Sequence, residues 1–309
     1  MKKIFRLLRK FLTSGIAFGW KYSYRYHIVG RIKGSSYKHQ VLVEYLKKQH
    51  SQIIGQYSSK GFVEESMSAD APVWVCWWQG EGQMPPVVSA CYRSLKKYAG
   101  NHPVHLITFD NVNNYVSIPE YILKKHKEGK ITLTHYSDIL RFSLLAQYGG
   151  LWIDATVWVT DEIVLTGKSF FTLKMNLPDD GIYVSKYRWT GFCIGGGMNN
   201  TLFLVLRDLL YDYWKKNDKV IHYLFFDYFI HITYETNTYV KKMIDNNPFN
   251  NQELYFMHLH LNVPFDKKVY DEICKNTYLH KLTWKGKLIE VDESGKETLY
   301  GHIISISDE

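Results

Sequence analysis

From about residue 70 onward, short apolar runs alternate with amphipathic stretches of helical period. Residues 73–78 (VWVCWW) are wholly apolar and 104–109 (VHLITF) nearly so, the pattern of strands buried on both faces. Between them a polar loop, QGEGQM, precedes Pro85 and Pro86. Proline is tolerated in a helix's first turn, so a helix is predicted from there to about Tyr98, stopping at Gly100. Another helix is expected to begin near Pro119, and a short strand at 131–134 to lead into a helix capped by Ser137. Gly149-Gly150 ends that helix and turns the backbone into a strand over residues 151–159. Period-two alternation puts Trp152, Asp154, Thr156 and Trp158 on one face of it.

The second half is less regular. Strands are predicted at 170–175 and 182–187, helices at 200–216, 220–234 and 239–245, and a hairpin at 287–304 turning at Ser294-Gly295. The order of elements predicts an α/β fold: a Rossmann-like mixed, mostly parallel sheet flanked by helices. Ligands in such sheets sit at the carboxyl ends of strands. That rim would hold the 79–84 loop, Asp110 and the segment after Ile153.

Residues 1–68 differ in character. They are basic and helical, with a second helix expected at 37–49, and read as an appendage to a domain spanning 69–309. In the first helix Ile4, Leu7, Leu8, Phe11 and Leu12 share a side, with Lys3, Arg6, Arg9 and Lys10 mostly opposite. That pattern suits a helix lying on an anionic membrane surface. Arg6, Arg9 and Lys10 interrupt the apolar run that a signal peptide needs, and no run is long enough to span a bilayer. The expected location is therefore cytoplasmic, peripheral at the inner face of the membrane.

The chain has 309 residues and a net charge of +8, without basic clusters in a nucleic-acid motif. The excess points to nucleotide diphosphates or anionic lipid rather than DNA or RNA. Aromatics make up 16% of the chain, including 24 Tyr and 9 Trp, a composition that suits stacking on sugar rings. Cys76, Cys91, Cys193 and Cys274 lack metal-ligand spacing and read as reduced thiols.

An ionised carboxylate is costly to bury unless cations or donors meet it. Asp154, inside an apolar strand, and Asp227, in the apolar helix YLFFDYFI, are therefore candidate catalytic groups. Asp138 and Arg141 are three apart and share a face of a largely buried helix. Asp154 and Thr156 would offer two oxygens to a Mg²⁺ or Mn²⁺ ion bridging a diphosphate. Gln79 and Glu81 lie on the loop after the first strand, and Asp110 ends the second. Gly195-Gly196-Gly197 lacks the spacing of a phosphate-binding loop.

The pattern S-D-x-x-R-x-x-x-L-x-x-x-G-G-x-W-x-D over 137–154 resembles the signature of the capsular polysaccharide synthesis proteins, relatives of the family-32 glycosyltransferases. The resemblance extends through VWVCWWQGEGQMPP, WTGFCIGGG and HKLTWK, covering roughly residues 70–285. It implies a GT-A-type fold and a retaining glycosyltransferase. The expected donor is a nucleotide-sugar, a UDP-sugar ahead of a GDP-sugar, and the expected acceptor an oligosaccharide on a polyprenyl diphosphate. By resemblance Gln79, Asp138, Arg141, Asp154, Trp189, Gly191, Lys281 and Lys285 bind the donor. Asp154, Thr156 and His280 would hold the metal, with Thr156 standing where a second Asp is usual. The competing readings are a sugar nucleotidyltransferase, for which QGEGQMPP lacks the basic residue, and a non-catalytic scaffold of the assembly machinery.

Overall fold

A computed structural model describes residues 2–58 and 65–307. Residues 59–64 of the expected appendage and 308–309 of the expected domain lie outside the described residues. Among the described residues five α-helices come first, with a π-helical stretch (Tyr24–Val29) between the second and third: α1 (Lys2–Phe18), α2 (Trp20–Ser23), α3 (Gly30–Lys33), α4 (Ser35–Gln49) and α5 (Ser51–Ser58). Then follow β1 (Val73–Cys76), α6 (Pro86–Tyr98), β2 (Val104–Ile107), α7 (Glu120–Lys127), α8 (Leu133–Tyr148) and β3 (Gly150–Ile153). The second half holds β4 (Val157–Val159), β5 (Phe170–Thr172), β6 (Cys193–Gly196), α9 (Thr201–Lys216), α10 (Phe225–Thr236) and α11 (Thr238–Asn246). It ends with α12 (Phe256–His260), α13 (Lys267–Asn276), β7 (Leu279–Lys281) and α14 (Leu299–Ser307).

The main sheet has the order β2-β1-β3-β6-β5. Strands β2, β1 and β3 are parallel, and β6 runs against both β3 and β5, so all but β6 point the same way. This is the mostly parallel, mixed sheet that the alternation predicts. Its apolar runs explain the burial. Val73, Val75, Leu151 and Ile153 pack toward α6 and α14, while Trp74, Trp152 and Ile194 pack toward α8, α9 and α10. Gly150 makes the close approach of β3 to the chain before β1 possible. Its φ is +86°, and a Cβ there would sit 2.1 Å from the Pro72 carbonyl oxygen.

The strand expected at 151–159 is broken. Asp154 N–H donates to the Phe192 carbonyl (2.8 Å) and Val157 N–H to the Asp154 carbonyl (3.0 Å). The chain turns there and enters a second, two-stranded sheet in which β4 pairs antiparallel with β7. Helix α8 starts four residues before Ser137, because Thr132 caps it by accepting from the His135 N–H. No strand forms at 131–134. Residues 182–187 are not extended either, since Lys186 and Tyr187 both have positive φ. At 287–304 the turn at Gly295 is present, but the only pairing of the two arms is an isolated Val291–Glu297 bridge. Leu299, Tyr300 and Ile303 then pack inward as part of α14.

The expected division at residue 68 does not separate two packing units. Leu42 and Leu46 of α4 are fully buried in the same core as Tyr213 of α9 and Phe229 of α10. Helix α1 meets that core through its last residue, Phe18, whose ring packs on Tyr22 and Tyr45. Among the described residues no helix is long and apolar enough to cross a membrane.

Candidate active site

A cleft of about 560 Å³ opens beside the end of β3, walled by α8, α10, the 175–192 segment and Lys281. Asp138 and Arg141 enter it from α8, one turn apart. The Arg141 Nη1 donates to Asp138 Oδ1 (3.1 Å) and Nη2 to Asp154 Oδ1 (3.3 Å). Trp152 Nε1 donates to the same Asp154 oxygen (2.9 Å). The other oxygen, Oδ2, accepts from Lys281 Nζ at 3.0 Å. Lys281 also donates to Thr156 Oγ1 (2.7 Å). The break in the strand makes this possible: the turn at Asp154 carries the chain into β4, which pairs with β7, whose last residue is Lys281.

The guanidinium of Arg141 is buried against the rings of Trp152 (4.9 Å) and Phe226 (5.3 Å). The close approach of Gly191 helps make room, since a Cβ there would lie 2.4 Å from the Phe226 ring. Lys281 sits 4.6 Å from the centre of the Phe192 ring. Cations over aromatic faces in a drier site are held more firmly than in water.

Three carboxyls line this wall, and their environments differ. Burial works against ionisation of Asp154, but Lys281 and Arg141 outweigh it and hold its carboxyl below the usual range. Burial pushes Asp138 up to about 7, only partly offset by Arg141. Burial likewise pushes Asp227 up to about 6, against the pull of a 2.9 Å hydrogen bond donated by Trp189 Nε1. Two cations therefore face one firmly ionised carboxylate and two carboxyls that ionise reluctantly. The cluster is positive on the acid side of neutrality, which suits a phosphate-bearing ligand.

The sequence profile of the family described as "Capsular polysaccharide synthesis protein" matches residues 24–303. The chain belongs to the capsular polysaccharide synthesis protein family. It is also 32% identical over 98 residues to the "O-glycosyltransferase braB" of Annulohypoxylon truncatum, 29% of this chain and 23% of that one. A solved structure titled "WbbM bifunctional glycosytransferase apo structure" matches with a TM-score of 0.42 and 15% identity, over 80% of this chain and 50% of that chain. The chain thus spans under a quarter of the curated relative and half of the solved one.

In this capsular polysaccharide synthesis protein the cleft gathers Asp138, Arg141, Asp154, Trp189, Gly191, Asp227 and Lys281, all expected at the site. Trp189 is only 2% exposed, so it has no free face for a sugar and serves to hold Asp227. The exposed aromatics on the cleft are Tyr183, Tyr223 and Tyr255, which the sequence signalled only through its tyrosine content. Thr156 lies behind Lys281 rather than on the cleft wall.

The other expected site residues lie elsewhere. Gln79 is exposed in the turn after β1, Glu81 pairs with Lys96, and Asp110 is exposed in its own loop. Lys285 is exposed beyond β7, next to Trp284. His280 is fully buried and not part of the cleft wall. Side chains alternate along β7, so His280 and Lys281 face opposite ways. The His280 Nε2 lies 3.4 Å from Thr160 Oγ1 and 4.0 Å from Cys274 Sγ, and burial lowers its pKa to about 4.

The set of residues proposed to hold Mn²⁺ or Mg²⁺ does not fit such an ion. His280 is turned away, Thr156 already accepts from an ammonium, and both Asp154 oxygens meet N–H donors. Among the described residues no group of three or more His, Cys, Asp or Glu side chains is placed to hold a metal.

Proposed function

We propose that this protein transfers a sugar from a nucleotide-sugar to a growing glycan in capsular or other surface polysaccharide synthesis. The convergence of Arg141 and Lys281 on Asp154, at the wall of a cleft beside a strand end, carries this reading. The site is positive on the acid side of neutrality, partly dry and rimmed by tyrosines, which suits a diphosphate joined to a sugar. In this reading the donor is a UDP-sugar rather than a GDP-sugar.

The bond from the anomeric carbon to the diphosphate oxygen breaks, and the acceptor hydroxyl oxygen bonds to that carbon. The hydroxyl proton passes to the departing diphosphate. Lys281 and Arg141 stabilise the charge that builds on the leaving group. Asp227, held by Trp189, accepts a hydrogen bond from the acceptor hydroxyl and orients it. Because the diphosphate takes the proton on the face it leaves, the anomeric configuration is retained and no strong general base is required.

The acceptor in this reading is an oligosaccharide on a polyprenyl diphosphate at the inner face of the membrane. Helix α1 supports it. Ile4, Leu8, Leu12 and Ile16 form an exposed stripe at four-residue spacing, and Lys3, Arg6, Lys10, Arg31 and Lys38 border a recess beside it. The first acidic residue of the chain is Glu44. An apolar stripe within a cationic field fits an anionic bilayer surface.

A thermal-shift screen of UDP-, GDP- and CDP-sugars, followed by transfer assays with the hits, tests this function. A nucleotide-sugar that raises the melting temperature and loses its sugar to an oligosaccharide acceptor is the expected result. Nucleotide binding without sugar transfer, or sugar-phosphate and nucleoside triphosphate consumed instead, would overturn it.

A further inference from the structure

We infer that Lys281 is a built-in cation that takes the place of a divalent ion, so that the cleft holds a nucleoside diphosphate without metal. The inference rests on the function proposed above and concerns how that site meets the diphosphate.

The ammonium lies between the two oxygens a metal would be expected to bridge. It is 3.0 Å from Asp154 Oδ2 and 2.7 Å from Thr156 Oγ1. An ammonium carries three N–H donors, and these two contacts use two of them. One remains for a phosphate oxygen. Lys281 is not a loose surface lysine brought in by chance. Its backbone N–H is bonded to the Leu254 carbonyl (2.9 Å), its strand is paired with β4, and its ammonium lies over the Phe192 ring.

The rest of the shell closes the alternative. The remaining Asp154 oxygen is taken by Trp152 and by Arg141, whose guanidinium is itself anchored by Asp138. A divalent ion entering here would have to displace the ammonium and then sit beside two positive groups. It would gain one carboxylate and one hydroxyl, short of the several oxygen ligands that Mg²⁺ or Mn²⁺ requires unless water and ligand supply the rest. Threonine at position 156 then has a positive reason. A second carboxylate would take Lys281 as a full ion-pair partner, whereas a hydroxyl accepts one hydrogen bond and leaves the ammonium's charge available to the ligand. Arg141 supplies the second charge, so the pair together carries the charge of one divalent ion.

The test uses the full chain, stripped with EDTA and dialysed, with UDP, GDP and CDP as probes in calorimetric titrations with and without added Mn²⁺. The expected result is one preferred nucleotide whose dissociation constant changes by less than about threefold on adding Mn²⁺. Lys281→Met is expected to weaken that nucleotide by about tenfold or more, while Lys281→Arg keeps most of the affinity. Should Lys281→Met fail to fold, Lys281→Arg and an electron-paramagnetic-resonance titration of Mn²⁺ into the wild type still decide. The Mn²⁺ signal is expected to match protein-free buffer in both arms: that of the free ion without nucleotide, and that of the Mn²⁺–nucleotide complex with it. Binding that appears only with Mn²⁺, or Mn²⁺ captured by the wild-type protein, overturns the inference and leaves the proposed function standing. Binding of no nucleotide in either arm overturns both.

Discussion

The Lys281 ammonium lies 3.0 Å from Asp154 Oδ2, although 127 residues separate the two in the chain. The contact joins the last strand of the structure to the turn that ends the third. It makes Asp154 the meeting point of two cations, because Arg141 reaches its other oxygen from α8. A carboxylate so placed orders both positive groups and leaves their outer sides to the cleft.

Replacing that carboxylate is expected to disorder both cations. Asp154→Asn keeps the shape but removes the charge and presents an NH₂ group either to Lys281 or to the Arg141 and Trp152 donors. The Asp154 side chain keeps 30% exposure, so the stability cost is that of a partly screened pair, about 1–3 kcal/mol by urea unfolding. Nucleotide-sugar turnover is expected to fall by about 100-fold or more, because the charge-stabilising groups lose their alignment. Turnover within about threefold of wild type would show that Asp154 has no part in positioning them.

The two reluctant carboxyls predict a pH dependence of stability. Asp138 is raised from 3.8 to about 7 and Asp227 from 3.8 to about 6 in the folded protein, both by burial. Between the unfolded and folded values the unfolded chain has released these protons and the native protein has kept them. Stability therefore falls as pH rises through that window. Asp227→Asn, which keeps an oxygen for the Trp189 N–H, is expected to flatten the fall of the melting temperature between about pH 4 and pH 6. A slope as steep as wild type in the variant would show that Asp227 ionises normally.

His280 separates a structural role from a binding one. The imidazole is buried beside Thr160 and Cys274, with Nδ1 lacking a hydrogen-bond partner. His280→Asn is expected to lower stability by about 1–3 kcal/mol, since it changes a packed polar group in the core. Nucleotide affinity, measured where the variant is fully folded, is expected to stay within about threefold of wild type. A selective loss of affinity at unchanged stability would place His280 at the ligand.

The α1 stripe predicts lipid-dependent partitioning. The full chain is expected to sediment with vesicles of phosphatidylglycerol and phosphatidylcholine, and to do so less as salt is raised, but not with phosphatidylcholine alone. Changing Ile4, Leu8 and Leu12 together to Ser removes three large apolar groups from the exposed face. Each contributes roughly 1.5–3 kcal/mol when fully buried, so sedimentation is expected to be lost while the melting temperature stays within about 2 °C. Equal recovery of the variant and the wild type on anionic vesicles would show that α1 is not the contact.

Much of the fold was legible because its signals are local. Apolar runs marked β1 and β2, Pro85-Pro86 marked the start of α6, and Gly149-Gly150 marked the turn into β3 with the positive φ that glycine tolerates. The same locality made Asp138 and Arg141 readable as one face of α8. Where the reading failed, a distant partner decided. Residues 151–159 have the alternation of one long strand, yet a turn closed by the Val157 N–H on the Asp154 carbonyl interrupts it, and β4 leaves to pair with β7. Ser137 has the chemistry of a cap, but Thr132 came first and the Ser137 hydroxyl instead accepts from the Trp78 indole.

By itself the sequence determined the class of fold, the costly carboxylates at Asp154 and Asp227, and the basic apolar character of the first helix. Periodicity, glycine and proline chemistry and charge act over a few residues and are written directly in the chain. Which cation stands beside Asp154 was decided only by tertiary structure. His280 and Lys281 are neighbours in sequence, and the pleat of β7 sends one into the core and the other to the carboxylate. That choice depends on a register set between strands more than a hundred residues apart, which no local pattern records.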